Sequence, residues 1–585
     1  SGQVLTLTGD LGAGDFDLRA EMAEGLARLS DADLRLVASL EGDDDEAIQS
    51  QLGLGDIPLF EGDGSVVASL FVEGNSADGF EGRAGISQNE QSLSFYGRLS
   101  VAENGEISGD GSLDAILANA RGLAALAGMR GASLPAIDAN ASVQFAGSRG
   151  LTLETISGVS GDVTFTGDLS MQRLGQLPTY SGSLKVDAVD MVGIAASLLG
   201  AEALAVPGES IWPEGPLAIE LENRASRGNI AVTADATTLA GAKIFGETGF
   251  TYSWDQTSTL LDNLQAQVGD GTLSLSLTSC CTGNLSERTL SGRMALAGVD
   301  VDALLPPLAA MGLDGAATGG VQFEGTGQSV ADVVRTLTGE GNFAIADFAV
   351  SGFSPEAFPS IAGIEDALNT EADAIETLIS LALGQGSFEA EEARGAFSIA
   401  GGTVRVANLI VEGEGGLLSG SLNVALPLLG LDGSFVLTPR NFVDQNGLVE
   451  ADTARILARL AGSILAPALS FDLTEMVASI QVRANELELD RLDRLRLEDE
   501  ARQREAAEAR NRLIEEQQRR AAEERARREA EEAERRALEE LSAPPEAPID
   551  PVAPLGGPLE LGFQPSVNQP IGPDVNQPIQ LIPPN

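Results

Sequence analysis

The sequence predicts a mainly β fold: an elongated, curled antiparallel β-sheet trough (a β-groove) with short apolar helices, then a long charged α-helix and a disordered Pro-rich tail. Three observations predict it. Apolar and small or polar residues alternate in short runs from Ser1 to about Leu437. Short apolar segments punctuate these runs, and no linker is evident before residue 487. After Leu487 the composition changes to Glu, Arg, Ala and Gln, and from Ala543 it becomes Pro-rich.

Alternation means strands because successive side chains leave opposite faces of a sheet. In the run from Gly161 to Gly167, Val163 and Phe165 point one way while Asp162, Thr164 and Thr166 point the other. The same rhythm sets Leu184 with Val186, Leu273 with Leu275 and Leu277, and Phe343 with Ile345. It also sets Phe397 with Ile399 and Leu422 with Val424. These residues are expected to line one apolar face. About 25–30 strands of this kind are readable. At about 4.8 Å per strand a single sheet would run on the order of 120–140 Å, and an open twisted sheet of that size is expected to curl or split. Independent sandwiches call for bulky inward residues, yet aromatics are only 4%. A β-solenoid calls for a fixed short period, which irregular strands interrupted by helices do not keep. A trough with an aliphatic lining fits best, and the abundant Gly (68 residues) suits its turns and bends.

The segments Leu113–Ala127, Val192–Ala203, Val301–Met311, Val330–Leu337, Ile361–Leu383 and Thr453–Leu465 predict short helices, the last stopping before Pro467. Two of them follow a shared motif. Ser181-Gly182-Ser183-Leu184 leads to Val189-Asp190-Met191, and Ser291-Gly292-Arg293-Met294 leads to Val299-Asp300-Val301. This is a diverged internal repeat, with Asp190 and Asp300 where a helix N-cap belongs. Residues 487–541 predict a single charged helix, with a coiled coil as the alternative. Glu precedes Arg by four residues at Glu508/Arg512, Glu515/Arg519, Glu516/Arg520, Glu523/Arg527, Glu524/Arg528, Glu531/Arg535 and Glu532/Arg536. Each such pair supports a helix by about 0.2–0.5 kcal/mol, and apolar residues are too sparse for a sustained heptad seam. The tail, 542–585, repeats Val567-Asn568-Gln569-Pro570-Ile571 at Val575-Asn576-Gln577-Pro578-Ile579. It reads as a spacer or as a docking peptide for an envelope partner.

The formal net charge of -51 argues against nucleic acid and against passive adhesion to an anionic membrane. His is absent, which removes the commonest general base and metal ligand. Cys280 and Cys281 are the two cysteines, too few for a zinc site. They read as a strained vicinal pair or as ordinary thiols at a strand end. No nucleophile elbow, phosphate loop or calcium-loop spacing is present. No catalytic residue, metal site or cofactor is therefore expected. No apolar run reaches the length of a membrane span. Ser1 opens directly on strand-like sequence, so a fragment or processed product is expected.

An aliphatic trough suits a lipid, whose acyl chains cost about 0.8 kcal/mol per CH₂ to expose to water. A family resemblance points the same way. The run Leu337-Thr338-Gly339-Glu340-Gly341-Asn342-Phe343-Ala344-Ile345-Ala346-Asp347-Phe348 resembles a strand motif of AsmA-like proteins, the AsmA and TamB type of repeating β-groove envelope proteins. Phe397 to Val404, Gly416 to Val424 and Leu431 to Phe435 are similar to the strands that follow it. The clearest likeness covers residues 318–492. The resemblance implies a non-enzymatic periplasmic protein, anchored in the inner membrane of a Gram-negative bacterium by an N-terminal helix that this chain lacks. It also implies phospholipid transport toward the outer membrane and a role in outer-membrane biogenesis. The expected domains are N-terminally incomplete groove repeats (1–317), the AsmA-like C-terminal β region (318–486), the charged helix (487–541) and the tail (542–585). Two other readings stay open: a structural or adhesive cell-surface β-protein, and an assembly factor that pairs its free edge strand with an outer-membrane protein.

Overall fold

The computed structural model describes residues 2–12, 14–23, 33–52, 59–60, 62–126, 135–173, 175–200, 202–205, 210–217, 226–239, 241–281, 287–450 and 453–540. The tail lies outside the described residues. The alternating runs pair with their neighbours in sequence. The first eleven strands are β1 (Gln3–Leu11), β2 (Gly14–Met22), β3 (Leu34–Gly42), β4 (Val66–Asn75), β5 (Gly79–Gln88), β6 (Gln91–Val101), β7 (Ile107–Leu117), β8 (Ile137–Ala146), β9 (Gly150–Ser160), β10 (Val163–Gln172) and β11 (Thr179–Asp190). Each is antiparallel to the next. Then come β12 (Arg227–Leu239), the short β13 (Ala242–Phe245), β14 (Thr248–Trp254), β15 (Thr259–Val268), β16 (Gly271–Cys281), β17 (Arg288–Asp300) and β18 (Leu313–Gly327). The last are β19 (Thr338–Ser351), β20 (Ser387–Ala400), β21 (Thr403–Glu412), β22 (Gly416–Ala425), β23 (Gly430–Pro439), β24 (Ile456–Ser463) and β25 (Ala466–Asp472). From β12 onward the pairing is again antiparallel, with β14 taking the place beside β12 that β13 only begins. Only β11 and β12 run parallel among the described strands.

Among the described residues the result is one 25-stranded sheet. It is open and uncurled, which corrects the curled trough read from the sequence. Alternation says that one face is apolar, but it does not say what covers that face. Helices and loops cover it in places, so curvature of the sheet is not the only way to shelter it. The chain divides into two compact units, Ser1–Arg491 and Leu492–Asn585. The whole sheet belongs to the first, and the division expected at residue 317 falls inside β18.

Among the described residues three apolar clusters sit on the sheet. Helix α1 (Asp45–Gln51), its N-terminus held by the Asp44 carboxylate accepting from the Ala47 N–H at 3.0 Å, packs Ile48 with Leu59 and Phe60 over Leu40, Val66 and Ile86. The second cluster lies under α3 (Met191–Leu199), which follows the short α2 (Arg121–Leu126). The next helices are α4 (Val301–Leu304), α5 (Pro306–Ala309) and α6 (Val330–Thr336). The third cluster packs α7 (Ala357–Ala362), α8 (Ala372–Gly384) and the first turns of α9 (Thr474–Glu540) on β19 to β25.

Of two further predicted helices, one begins as strand before it turns helical and the other is strand at its core. Leu113 to Leu117 finishes β7, because Ala115 and Leu117 alternate onto the buried face before α2 begins. Ile456, Ala458 and Leu460 likewise alternate and pair with Leu437, Phe435 and Gly433 as β24. The Ile361–Leu383 segment is two helices, α7 and α8, instead of one. Asp190 caps α3 by accepting from the Gly193 N–H at 3.0 Å, whereas Asp300 occupies the N-cap of α4 without a side-chain bond.

Helix α9 joins the core through Met476, Val477, Ile480 and Ala484, and from Leu492 it is solvated on all sides. Glu508–Arg512 (3.8 Å) and Glu516–Arg520 (2.8 Å) pair as expected. Arg519 and Arg527 turn instead to Glu523 and Glu531 in the next turn. Both partners lie four residues away, so a rotamer change exchanges one for the other.

Bulges keep the apolar face in phase. Leu153 and Ile156, Leu261 and Leu264, Leu296 and Val299, Ile345 and Phe348, and Val406 and Leu409 are each three residues apart, where strict alternation would give two. The ladder shifts register at each of these places. The residue that absorbs the extra step has a left-handed backbone: Thr155, Asn263, Gly298, Asp347 and Asn408, with φ between 49° and 62°. Without the bulge, every later side chain of the strand would change faces. Asn263→Val is expected to lower stability by about 1–2 kcal/mol, since a β-branched residue resists this backbone, while Asn263→Gly stays within about 0.5 kcal/mol of the parent. The urea midpoint read by tryptophan fluorescence checks both.

Candidate functional site

The cross-strand partners trace one face through the entire sheet. Phe16 of β2 opposes Leu40, Leu40 opposes Ala68, Ala68 opposes Ile86 and Ile86 opposes Leu93. Further along, Phe165 opposes Val186 and Leu184 lies beside Val232. Leu261 opposes Leu277, and Leu275 opposes Met294. Val321 opposes Gly341, which opposes Phe397, and Val406 opposes Leu422. All the lining residues read from the sequence fall on this face: Val163, Phe165, Leu184, Val186, Leu273, Leu275, Leu277, Phe343, Ile345, Phe397, Ile399, Leu422 and Val424. Ile399 is buried and the others are half-buried. Sheet pairing thus places in one surface residues far apart in sequence.

The N-terminal part of the face holds a concavity of about 500 Å³. Phe16, Leu18, Leu70, Leu93, Phe95 and Leu113 line it, with Leu52 at the end of α1 beside them. The sequence reading did not single these residues out, although Leu93-Ser94-Phe95 carries the same alternation. Leu113 was hidden inside a predicted helix. The charged side chains of these strands belong to the opposite face, where Arg35 lies over the Phe71 ring at 5.6 Å and Arg83 over Tyr96 at 5.0 Å. The wall of the concavity offers hydrocarbon and little else, so it suits an apolar chain. Within the described residues no cluster of His, Cys, Asp or Glu could hold a metal ion. Cys280 and Cys281 end β16 as free thiols, and as consecutive strand residues they point to opposite faces.

Glycines give this face its relief. A Cβ on Gly111 would stand 2.8 Å from the Phe95 ring and 2.6 Å from the Gly97 Cα. On Gly292 it would stand 2.7 Å from Phe323, and on Gly395 2.5 Å from Phe343. Rings therefore lie down over glycines of neighbouring strands, which keeps the surface shallow and leaves space above it. A real Cβ must displace the ring or the strand. Gly111→Ala is expected to cost about 1–3 kcal/mol by overpacking, read as a lower urea midpoint with displaced Phe95 ring resonances.

The opposite face is acidic. Asp10 and Asp15 sit side by side in the β1–β2 ladder, with Asp15 paired onward to Glu41. The hydrogen bond and charge of Asp10, with smaller contributions from burial and Glu41, raise the Asp15 pKa above its ordinary 3.8. A carboxyl group raised in this way stabilises the fold below its ordinary pKa and loses that contribution as pH rises through the folded value. Asp10→Asn is expected to lower the Asp15 titration midpoint toward 3.8 and to stabilise the chain at neutral pH but not in acid. A carboxyl-detected NMR titration, with unfolding measured at both pH values, checks this.

No protein-family model matches the chain, and no curated protein matches it in sequence.

Proposed function

We propose that this protein binds lipid acyl chains on the apolar face of its sheet and moves phospholipid between the inner and outer membranes of a Gram-negative cell, serving outer-membrane biogenesis without catalysis. The observation that carries the reading is the continuity of the face. One row of aliphatic and aromatic side chains, held in phase by bulges, runs from β2 to β25, with open hydrocarbon surface between its covered parts. An acyl chain spans about 15 Å, half of the roughly 30 Å bilayer core. A strand of about ten residues offers roughly 33 Å, so a chain can lie along a strand with its headgroup at the rim.

The resemblance around Phe343 and Phe397 to AsmA-like proteins supports a periplasmic setting with an inner-membrane anchor. Among the described residues no helix is long and apolar enough to cross a membrane, so the anchor is proposed from that resemblance alone. The acidic outer face would keep the sheet dissolved and repel anionic bilayer surfaces. The Pro-rich tail is proposed to dock an envelope partner.

Native mass spectrometry of the chain, purified in mild detergent from a Gram-negative host, is expected to show bound phospholipid. Leu70→Asp with Leu113→Asp should reduce that lipid at least several-fold with unchanged circular dichroism, because a carboxylate in the concavity must be desolvated to admit an acyl chain. A chain that carries no lipid and cross-links to outer-membrane barrels would replace this reading with that of an assembly factor.

A further inference from the structure

The parallel pairing of β11 with β12 has a topological consequence. A hairpin cannot join parallel strands, so the chain must cross a face of the sheet between them. Here it crosses the apolar face. From the Asp190 cap, α3 lays Ile194, Leu198 and Leu199 against Tyr252, Trp254, Leu261, Leu264 and Ala266 of β14 and β15. The Tyr252 hydroxyl donates to the Ser197 carbonyl at 2.8 Å, and the Thr259 hydroxyl donates to the Leu198 carbonyl at 3.1 Å. The returning segment, residues 210–217, is fastened along the ends of later strands. Leu217 N–H donates to the Gln328 carbonyl at 2.9 Å, and the Trp212 indole donates to the Leu426 carbonyl at 2.8 Å. Both tryptophans of the chain serve this crossover, with Trp254 beneath α3 and Trp212 on the returning segment.

The burial follows the crossover. Leu261 is 1% exposed and Leu264 3%, whereas on the same face Leu7 is 47% exposed and Met294 36%. The side chains of α3 occupy the surface on which an acyl chain would otherwise lie. We propose that the apolar face comprises two separate acyl-chain sites, one on β2 to β10 and one on β17 to β20, and that the α3 crossover is the built-in occupant of the strip between them. While α3 is seated on β14 and β15, hydrocarbon cannot pass along the face from one site to the other. This inference rests on the acyl-binding reading above, and its test separates the two.

The probe is palmitic acid carrying a diazirine on its acyl chain, photolysed with the whole 585-residue chain, with labelled residues mapped by mass spectrometry. Label is expected around Leu70 and around Met294 and Phe343, with at least ~10-fold less on Tyr252 to Leu264. Leu198→Asp, which makes α3 a poor occupant, should raise labelling of that strip at least ~5-fold. Tyr252→Phe keeps the apolar contacts and removes one fastening, so a smaller rise of the same sign is expected from a variant that retains the packing. Equal labelling of Leu261 and Leu70 in the unmodified protein would overturn the two-site arrangement while leaving acyl binding intact. Absence of label from the whole face would overturn acyl binding itself, and this inference with it.

Discussion

The structure depends on the phase of its side chains. A sheet of 25 strands has one apolar face only if every strand enters its ladder on the right parity. A single slip would turn a strand's hydrocarbon to solvent and its carboxylates inward. Backbone hydrogen bonds are indifferent to that choice. Burial of the apolar row makes it, and the left-handed residues at Thr155, Asn263, Gly298, Asp347 and Asn408 allow a strand to continue past an added residue without losing the row. The three covered clusters, the glycine-seated rings and the concavity over β2 to β7 all presuppose that parity.

Cover is a separate matter from parity. The sheet shelters its hydrocarbon piecemeal, under α1 near the start, under α3 in the middle and under α7, α8 and the root of α9 at the end. Between these the face stays partly open. A chain that needed only stability would gain by covering those stretches too, at about 25 cal/mol per Å² of apolar surface removed from water. The open hydrocarbon therefore stands as the feature that the proposed acyl-chain binding explains.

Much of this was legible in the sequence, and the reasons are physical. Parity is local, so Val163 with Phe165 or Leu273 with Leu275 could be assigned to a face from a handful of neighbours. The charged helix was legible because its support comes from pairs one turn apart. Cover depends on contacts between residues far apart in sequence, such as Trp212 with Leu426, and curvature depends on that cover. The curled trough therefore did not survive. Segments such as Leu113–Leu117 and Ile456–Leu460 went astray because short apolar runs satisfy both helical and strand periods until a pairing partner decides. Bulges were invisible for a related reason: a spacing of three looks like the end of a strand until the ladder is seen to continue beyond it.

Nearly every strand touches only the strands beside it in sequence, the pairing of β12 with β14 being the main departure. Such a chain has little loop entropy to overcome and can acquire structure hairpin by hairpin as it emerges from the ribosome. It also has no fixed size. Adding or removing one hairpin lengthens or shortens the sheet by roughly 10 Å, two strand spacings, and returns the chain to the same edge with the same parity. Reach is thus a heritable quantity, adjustable in steps by duplication without any change to the rules that hold neighbouring strands together.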